Sequence, residues 1–359
     1  MKICFLAPAN NHHTKKWCEY FLSKGHKITV ISFVPGNIDN VDVHYINCSV
    51  KTDDSDIKKI KYLLKINKIK KIIKKVDPDI INAHYATSYG MVAALCNLKK
   101  YILSVWGTDV YIFPKKSIIH KIYFKYLINK APYIFATSNA LKKELKKYTE
   151  KQIYVTPFGV KMDLFNSNKR TRKDNDYIIG TVKTLKEKYG IRYIIEAVKI
   201  IKNKIPNLKV VIAGSGNQEF ELKELAKKNN VDIDWLGTIS QEQAAITWAN
   251  MDLALIPSID NSESFGVSVI EAEASQIPVI ITDLPGLLET TTDKSRIVIP
   301  RKDSLSLANA IIELYNNPKK REQMGINGRK YVEKKYEYNK CFEKIEKIYD
   351  KIINSKMWG

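Results

Sequence analysis

The chain has 359 residues, 45% of them hydrophobic, and a formal net charge of +21. This length exceeds one ordinary domain and suits two, each able to bury its own core. The positive charge is almost all lysine, since only seven arginines occur, and lysines are spread through nearly every helical segment. Because planar recognition of phosphates and bases favours Arg, a nucleic-acid partner is not expected.

Cysteine usage and hydropathy narrow the class further. The five cysteines have no paired spacing, which is typical of reduced thiols and predicts neither a disulfide framework nor a zinc site. No apolar run approaches the roughly 18 residues of a membrane span, and the first residues read as a strand, not as a leader segment. We therefore expect a cytoplasmic protein, with a basic face that could meet anionic lipids at the inner side of a membrane.

In the first half, short apolar runs rich in β-branched residues alternate with helical patterns, as in βαβ units. The predicted strands are 2–7, 27–33, 80–83, 101–106 and 133–137. The predicted helices include 15–24, 88–97 and 139–147, the last capped by Ser138. The lysine-rich segment 57–76 changes its apolar face halfway, so we interpret it as one or two helices packed on a sheet with the lysines outward.

A polar, basic stretch over 158–176 interrupts this alternation, which then restarts. The strands predicted after it are 177–182, 208–213, 232–236, 252–256, 278–282 and 296–299. A helix begins after Ser240, where Gln243 completes a capping box. We divide the chain into an acceptor-side domain (1–165), a donor domain (176–335) and a helical end (336–359) that packs back toward the first domain. The fold class is α/β, with two Rossmann-like doubly wound parallel sheets facing a central cleft.

Two carboxylates, Glu263 and Glu271, flank a Ser-Phe-Gly turn and the start of an apolar helix. A loop that leads into a helix N-terminus attracts anions, because free N–H groups and the helix dipole point at the ligand. Glu271 on the first turns could accept hydrogen bonds from a ribose, and Glu263 in the loop could meet a sugar. The alternative interpretation is a pair of surface glutamates beside a buried helix.

Three further loops follow strands of the same predicted sheet. The first contains Lys183 and Lys188, which could both reach one diphosphate. The second contains Gly214 and Gly216, which suit either close approach to a ligand or a routine tight turn. The third is Pro285-Gly286. A dinucleotide fingerprint is excluded in the second loop, because the third glycine of that motif does not follow.

Taken together, these motifs resemble the family 4 retaining glycosyltransferases, which have the GT-B fold. The resemblance also runs through the first half and covers nearly the whole chain. The motifs there are Ala7-Pro8, His13-Thr14-Lys15-Lys16-Trp17, Asn82-Ala83-His84-Tyr85, Trp106-Gly107-Thr108-Asp109 and Pro157-Phe158-Gly159-Val160. It implies transfer of a sugar from a nucleoside diphosphate sugar, most commonly a UDP-sugar, to a glycan or lipid-linked acceptor. Surface polysaccharide or glycolipid assembly is the implied setting.

The resemblance also implies the roles of individual residues, with no metal and no cofactor. Lys183, Lys188 and Glu263 are the implied catalytic group, the two lysines clamping the diphosphate. His84 is a further catalytic candidate because it is expected near the cleft, with a structural role as the alternative. The implied donor-binding residues are Glu271, Ser264, Phe265, Gly266, Val267, Gly214, Gly216, Pro285 and Gly286. The implied acceptor-side residues are Asn11, His13, Trp106 and Asp109.

Two departures from the family pattern concern the acceptor side. Trp106 stands where many members have His, so the role of that His is not carried over. Pro8-Ala9-Asn10-Asn11-His12 replaces the usual glycine pair of the first loop. A non-hydrolysing sugar-nucleotide epimerase and a non-catalytic nucleotide-sugar or glycan-binding protein remain alternatives, because both would keep the same nucleotide site.

Overall fold

The computed structural model describes residues 1–48, 60–98, 101–172 and 175–354. The chain forms two compact units. The first unit combines Met1–Phe158 with Phe342–Gly359, and the second unit is Gly159–Cys341. The first unit is therefore built from both ends of the chain, whereas the second is continuous.

The first unit contains a seven-stranded sheet in the order β3-β2-β1-β4-β5-β6-β7, with every neighbouring pair parallel. Its strands are β1 (Lys2–Leu6), β2 (Lys27–Ser32), β3 (Asp42–Tyr45), β4 (Ile80–His84), β5 (Tyr101–Val105), β6 (Tyr133–Ala136) and β7 (Ile153–Val155). The predicted strands are confirmed within about two residues. The edge strands β3 and β7 were not predicted, because they are short and partly exposed, without a continuous apolar run.

The first-unit helices are His12–Ser23, Ile66–Val76, Met91–Leu95, Thr108–Tyr111, Ile118–Lys130 and Asn139–Leu145. The helix predicted over 88–97 is instead a π-helical turn, Tyr85–Gly90, that continues into Met91–Leu95. In the lysine-rich segment, residues 57–59 lie outside the described residues. Its remainder packs Ile69, Ile66 and Ile72 against the core, which confirms the interpretation of a sheet-packed segment with lysines outward.

The last helix, Tyr338–Ile353, packs from Phe342 onward on the first unit. The Tyr349 ring stacks on Phe21 at 5.3 Å, and its hydroxyl accepts a hydrogen bond from Asn82 at 2.6 Å. Glu346 accepts hydrogen bonds from the Tyr20 hydroxyl at 2.9 Å and lies 2.7 Å from His26. The first unit thus depends on residues from the far end of the sequence to complete its core.

The second unit contains a six-stranded parallel sheet in the order β10-β9-β8-β11-β12-β13. Its strands are β8 (Tyr177–Val182), β9 (Leu208–Ala213), β10 (Asp234–Gly237), β11 (Leu253–Ile256), β12 (Val279–Thr282) and β13 (Arg296–Ile299). Its helices are Ile191–Ile201, Glu219–Lys228, Gln241–Ala249, Val267–Ala274, Pro285–Glu289, Ser304–Asn316 and Pro318–Tyr336. The six strands and the Ser240–Gln243 capping box were predicted and are confirmed.

Each sheet reverses its strand order once, between β1 and β4 in the first unit and between β8 and β11 in the second. In doubly wound sheets, ligands bind at the carboxyl ends of the strands beside this reversal. The loops that follow β8 and β11 carry Lys183, Lys188 and Glu263. Topology alone therefore brings the predicted phosphate-binding and sugar-binding residues to one edge of the second sheet.

Candidate functional site

The loop after β8 is held in place by the glycine-containing loop after β9. A Cβ atom on Gly214 would lie 2.0 Å from the Lys183 carbonyl oxygen, and one on Gly216 would lie 2.2 Å from that of Leu185. The Leu185 N–H donates to the Ser215 carbonyl at 3.0 Å. These two glycines thus allow two backbones to touch and fix the position of Lys183. Their predicted contact with the donor stays a prediction.

The Lys183 ammonium and the Glu263 carboxylate form a buried ion pair. Nζ lies 2.7 Å from Oε1, and the two side chains are 12% and 7% exposed. Burial alone would lower the pKa of Lys183, but the carboxylate of Glu263 and the neighbouring Tyr189 and Glu271 outweigh it and raise the pKa. The lysine is therefore a fixed positive charge at neutral pH. Glu263 takes one of its three N–H donors, which leaves two for other partners.

A tyrosine ring lies between the two predicted phosphate lysines. The centroid of Tyr189 is 4.5 Å from Lys183 Nζ and 4.8 Å from Lys188 Nζ. Both distances fall within the range of cation–π attraction. Lys188 Nζ also donates to the Ser262 hydroxyl at 3.3 Å, and the Lys188 carbonyl accepts a hydrogen bond from the Ile259 N–H at 2.9 Å. The ring therefore gathers both positive charges at the same edge of the sheet.

The segment after β11 runs into the helix Val267–Ala274 through a left-handed residue. Gly266 has φ +58° and stands at the N-cap, where it brings no side chain to the first N–H groups of the helix. Phe265 is 3% exposed and packs edge-on against Tyr336 at 5.4 Å. Ser268 anchors the first turn to β8 by donating to the Val182 carbonyl at 2.8 Å. The N-terminus of this helix is thereby placed beside the Lys183 loop.

The two glutamates of this helix lie on different faces. Glu271 is 5% exposed, and its charge contributes to the raised pKa of Lys183, which places it on the site side. Glu273 is fully buried and accepts hydrogen bonds from the Thr291 and Ser295 hydroxyls, the latter at 2.6 Å. Burial raises the pKa of Glu273 to about 8. One glutamate thus lies on the side of Lys183, and the other belongs to the core.

The Pro285-Gly286 segment packs against the backbone of the Glu263 loop. Pro285 begins the helix Pro285–Glu289, and a Cβ atom on Gly286 would lie 2.3 Å from the Glu263 carbonyl oxygen. This close approach of two backbones fixes the position of the Glu263 loop. Contact of Pro285 or Gly286 with a donor stays a prediction.

In the first unit, Asp109 organises two loops at the carboxyl edge of the sheet. Its buried carboxylate accepts the N–H groups of Ala86 at 2.9 Å, Gly107 at 3.0 Å and Trp106 at 3.3 Å. Burial raises its pKa, and the backbone hydrogen bonds act in the opposite direction. Asp109 therefore joins the end of β4 to the end of β5. The structure gives it this structural function, and a contact with the acceptor stays a prediction.

The other acceptor-side candidates cluster near the end of β1. The Asn11 side chain accepts the His13 N–H at 2.8 Å and caps the helix His12–Ser23. The His13 ring stacks on Phe158 with centroids 4.0 Å apart and lies 5.5 Å from the Trp106 ring. The structure thus brings His13 and Trp106 into one aromatic group.

His84, predicted as catalytic, is fully buried at the end of β4. Its ring is surrounded by Trp106 at 4.6 Å, Trp17 at 5.2 Å and Phe5 at 5.7 Å, and within the described chain neither ring nitrogen has a hydrogen-bond partner. Burial lowers its pKa to about 3, so it is neutral at physiological pH and a weak base. Its catalytic role stays a prediction.

A cavity of about 490 Å³ lies at the opposite edge of the second sheet, at the amino ends of β11 and β12. The Asp252 carboxylate in its lining is already paired, because it accepts hydrogen bonds from Arg170 at 3.1 Å, from Arg172 and from the Ile178 N–H. Ligands of doubly wound sheets bind at the other edge. The cavity is therefore not the candidate site.

Two features of the described residues bear on other functions. Groups of three or more His, Cys, Asp or Glu side chains placed to share a metal ion do not occur among them. Their helices are all too short or too polar to cross a membrane.

Comparison with known proteins identifies the class. A family model for glycosyl transferases group 1 matches residues 163–331, and a model for glycosyl transferase 4-like proteins matches residues 2–138. An uncharacterized glycosyltransferase of Methanocaldococcus jannaschii is 29% identical over 334 residues, covering 91% of this chain and 90% of that protein. The capsular polysaccharide biosynthesis glycosyltransferase CapM of Staphylococcus aureus is 28% identical over 256 residues, with coverage of 65% and 66%.

Solved structures agree on the fold. Sucrose-phosphate synthase from Thermosynechococcus elongatus superposes with a TM-score of 0.85 at 18% identity, covering 98% of this chain and 99% of that chain. The Anabaena protein HepE, solved in complex with UDP-glucose, superposes with a TM-score of 0.80 at 17% identity, with coverage of 98% and 99%. The chain belongs to the family 4 type of glycosyltransferases and has the GT-B fold, as the sequence motifs predicted.

Sequence reasoning missed two residues of the site. Tyr189 lies between the two lysines, and Ser262 binds one of them. A single tyrosine or serine in a loop carries no periodic signal. The available clue to Tyr189 is its position next to Lys188, just before Gly190.

Proposed function

We propose that this glycosyltransferase moves a sugar from a UDP-sugar to an acceptor hydroxyl with retention of the anomeric configuration. The observation that carries the proposal is the cluster of Lys183, Lys188 and Tyr189 against Glu263, at the strand-order reversal of the second sheet. Two fixed cations beside a helix N-terminus suit a diphosphate that gains charge as it leaves. The carboxylate of Glu263 suits the hydroxyl groups of the sugar.

In the proposed reaction, the bond between the anomeric carbon and the diphosphate oxygen breaks, and the pair of electrons stays on the diphosphate. The acceptor oxygen forms its bond on the same face of the sugar, which retains the configuration. The acceptor proton passes to the leaving phosphate oxygen. Lys183 and Lys188 stabilise the leaving diphosphate, so the proposal includes no metal and no cofactor.

Other residues have supporting roles in the proposal. Glu271 accepts hydrogen bonds from the ribose hydroxyls, and the N–H groups of Phe265 and Gly266 meet sugar or phosphate. Ser264, Val267, Gly214, Gly216, Pro285 and Gly286 shape the donor site. Asn11, His13, Trp106 and Asp109 shape the acceptor side.

The proposed acceptor is a glycan or a lipid-linked saccharide in the assembly of surface polysaccharide or glycolipid, on the cytoplasmic side of a membrane. The name of the capsular polysaccharide relative supports this setting. A UDP-sugar as donor is supported by the UDP-glucose bound to HepE.

The test begins with thermal shifts in the presence of UDP, GDP, ADP, NAD and a short DNA duplex. A ligand at 100 times its Kd stabilises the folded protein by about 2.7 kcal/mol, which is a readable shift. We expect UDP alone to stabilise. Stabilisation by GDP alone would mean that the donor is a GDP-sugar instead of a UDP-sugar. Stabilisation by NAD or DNA alone would contradict the proposal.

Variants then test the site residues. We expect Glu271→Ala to weaken UDP binding and cut turnover, whereas Glu263→Ala mainly cuts turnover of UDP-glucose or another UDP-sugar. Lys186→Met is the matched control, because Lys186 lies in the same loop with its side chain exposed. NMR of the product anomeric proton reports retention or inversion. Turnover without an acceptor would indicate an epimerase, and UDP binding with no turnover of any UDP-sugar would indicate a binding protein.

A further inference from the structure

The helix Ile118–Lys130 of the first unit is apolar on its solvent face as well as on its core face. Phe124, Leu127 and Ile128 are buried against the core. Helices of globular proteins ordinarily place charged or polar residues opposite such a buried face. A helix that is apolar on both faces and lies at the surface is expected to have a partner.

Four large apolar side chains form the outer face of this helix. Ile118 is 67% exposed, Ile119 74%, Ile122 64% and Tyr126 47%. At 3.6 residues per turn these four positions fall within a sector of about 100°. They therefore form one continuous apolar strip, which we call the outer strip. Scattered exposed apolar residues need no explanation, but a contiguous group marks an interaction site.

Positive charge surrounds the outer strip. Five lysines lie in and beside the helix: Lys115, Lys116, Lys121, Lys125 and Lys130. All five are exposed. The sequence contains no carboxylate between Asp109 and Glu144. Glu144 lies 3.6 Å from Lys115 and 2.7 Å from Lys147, so its single charge is shared.

We propose that the outer strip docks the protein on the surface of an anionic lipid bilayer. The four apolar side chains lie below the headgroups, and the lysines lie among the headgroups. Apolar residues on one face of a helix and lysines at its borders are the composition of interfacial helices. Anionic headgroups complement the five lysines, each of which contributes roughly fivefold to binding. The proposal is independent of the sugar donor and of the transfer reaction.

The other candidate partners fit this surface less well. A second copy would bring two sets of five lysines together, and four side chains fall well short of the 20–30 residues a side of a standard protein interface, which buries about 800 Å² per partner. The lysine-rich helix Ile66–Val76 does not present a comparable face, because Ile69, Ile66 and Ile72 pack against the core. The lipid partner is therefore assigned to Ile118–Lys130.

Co-sedimentation with vesicles tests the proposal, using the full chain without nucleotide sugar or acceptor. The vesicles are pure phosphatidylcholine or phosphatidylcholine mixed with phosphatidylglycerol. We expect binding to the mixed vesicles, weakened at high salt. The double variant Ile119→Ser with Ile122→Ser should bind at least about tenfold more weakly, and Lys121→Gln with Lys125→Gln about 25-fold more weakly.

The matched control is Phe220→Ser, because Phe220 is 80% exposed in the second unit. It should bind vesicles like the parent. Unchanged melting temperatures would show that the exposed substitutions leave the fold intact. Equal binding of the isoleucine variant and the parent would overturn the proposal. The proposal would also be overturned if the parent protein bound neither kind of vesicle but formed a dimer in sedimentation velocity that the isoleucine variant did not form. The partner of the outer strip would then be a second copy of the chain.

Discussion

The aromatic ring of Tyr189 contacts two positive charges at once. Its ring lies 4.5 Å and 4.8 Å from the ammonium groups of Lys183 and Lys188, which would otherwise repel each other. A cation–π contact contributes about 0.5–2 kcal/mol, more when water is excluded. The ring therefore offsets part of the repulsion and holds the two cations ready for a diphosphate.

This arrangement makes a prediction for UDP binding. We expect Tyr189→Leu to weaken binding about 3–10-fold, because both cation–π contacts are lost, and Tyr189→Phe to stay within about twofold, because the ring remains. Isothermal titration calorimetry of the two variants measures the difference. If Phe binds as weakly as Leu, the hydroxyl and not the ring holds the lysines.

The sequence predicted the residues of this site by type and order but not their contacts. Lys183, Glu263 and Glu271 could be found because each lies at the end of a recognisable strand or in a known motif. The ion pair between Lys183 and Glu263 could not be predicted from the sequence, because it joins positions 80 residues apart. Nor could the burial of His84, since a histidine at a strand end has the same sequence signal whether it is exposed or enclosed by aromatic rings.

At the scale of the element, the helix Val267–Ala274 contains two glutamates with different environments. Glu273 is fully buried, and among the described residues its Oε2 atom has no hydrogen-bond partner. Burial raises its pKa from the ordinary value of 4.5, which the unfolded chain keeps, to about 8. Between these values the folded protein holds a proton that the unfolded chain has released. Stability therefore falls as the pH rises through this window.

Replacing this side chain should remove the pH dependence. Glu273→Gln keeps the size and cannot ionise, so its stability advantage over the parent should grow by on the order of 3 kcal/mol between pH 5 and pH 8. Urea unfolding at the two pH values measures this difference. Glu224→Gln, at an exposed position of another helix, should show no such change. An equal effect at both pH values would mean that Glu273 is ionised in the folded protein.

Elements differ in how well their sequence predicts them. Central strands such as β1 and β11 are covered on both faces, so their continuous apolar runs identify them. The edge strand β3 is half-exposed and mixes polar with apolar residues, so it lacks that run. The helix Ile118–Lys130 has apolar residues on both faces, and this pattern indicates a buried helix. Its exposure becomes known only from the tertiary structure.

For the whole molecule, the two units have separate hydrophobic cores, so we expect them to unfold in separate transitions. Tyr349 belongs to the first unit, where it is fully buried, stacks on Phe21 and accepts a hydrogen bond from Asn82. We expect Tyr349→Ala to destabilise this unit by about 3–5 kcal/mol, as for other large aromatic residues removed from cores. The second unit should keep its stability.

Differential scanning calorimetry with and without UDP measures this prediction, since UDP should raise only the transition of the unit that binds it. Lys347→Ala is the control, because Lys347 lies in the same helix with its side chain exposed. A uniform fall of both transitions in Tyr349→Ala would show that the units unfold as one.

The return of the chain to the first unit also sets an order of folding during synthesis. Domains ordinarily fold from the N-terminus as they leave the ribosome, at about 5–20 residues per second. Here Phe342 is made roughly 10–40 s after Phe158, and until then the surface of Trp17, Tyr20 and Phe21 lacks its cover. The second unit, which is continuous, can complete its core first. A nascent chain therefore carries an open aromatic surface for most of its synthesis, and this surface is where we expect chaperones to bind.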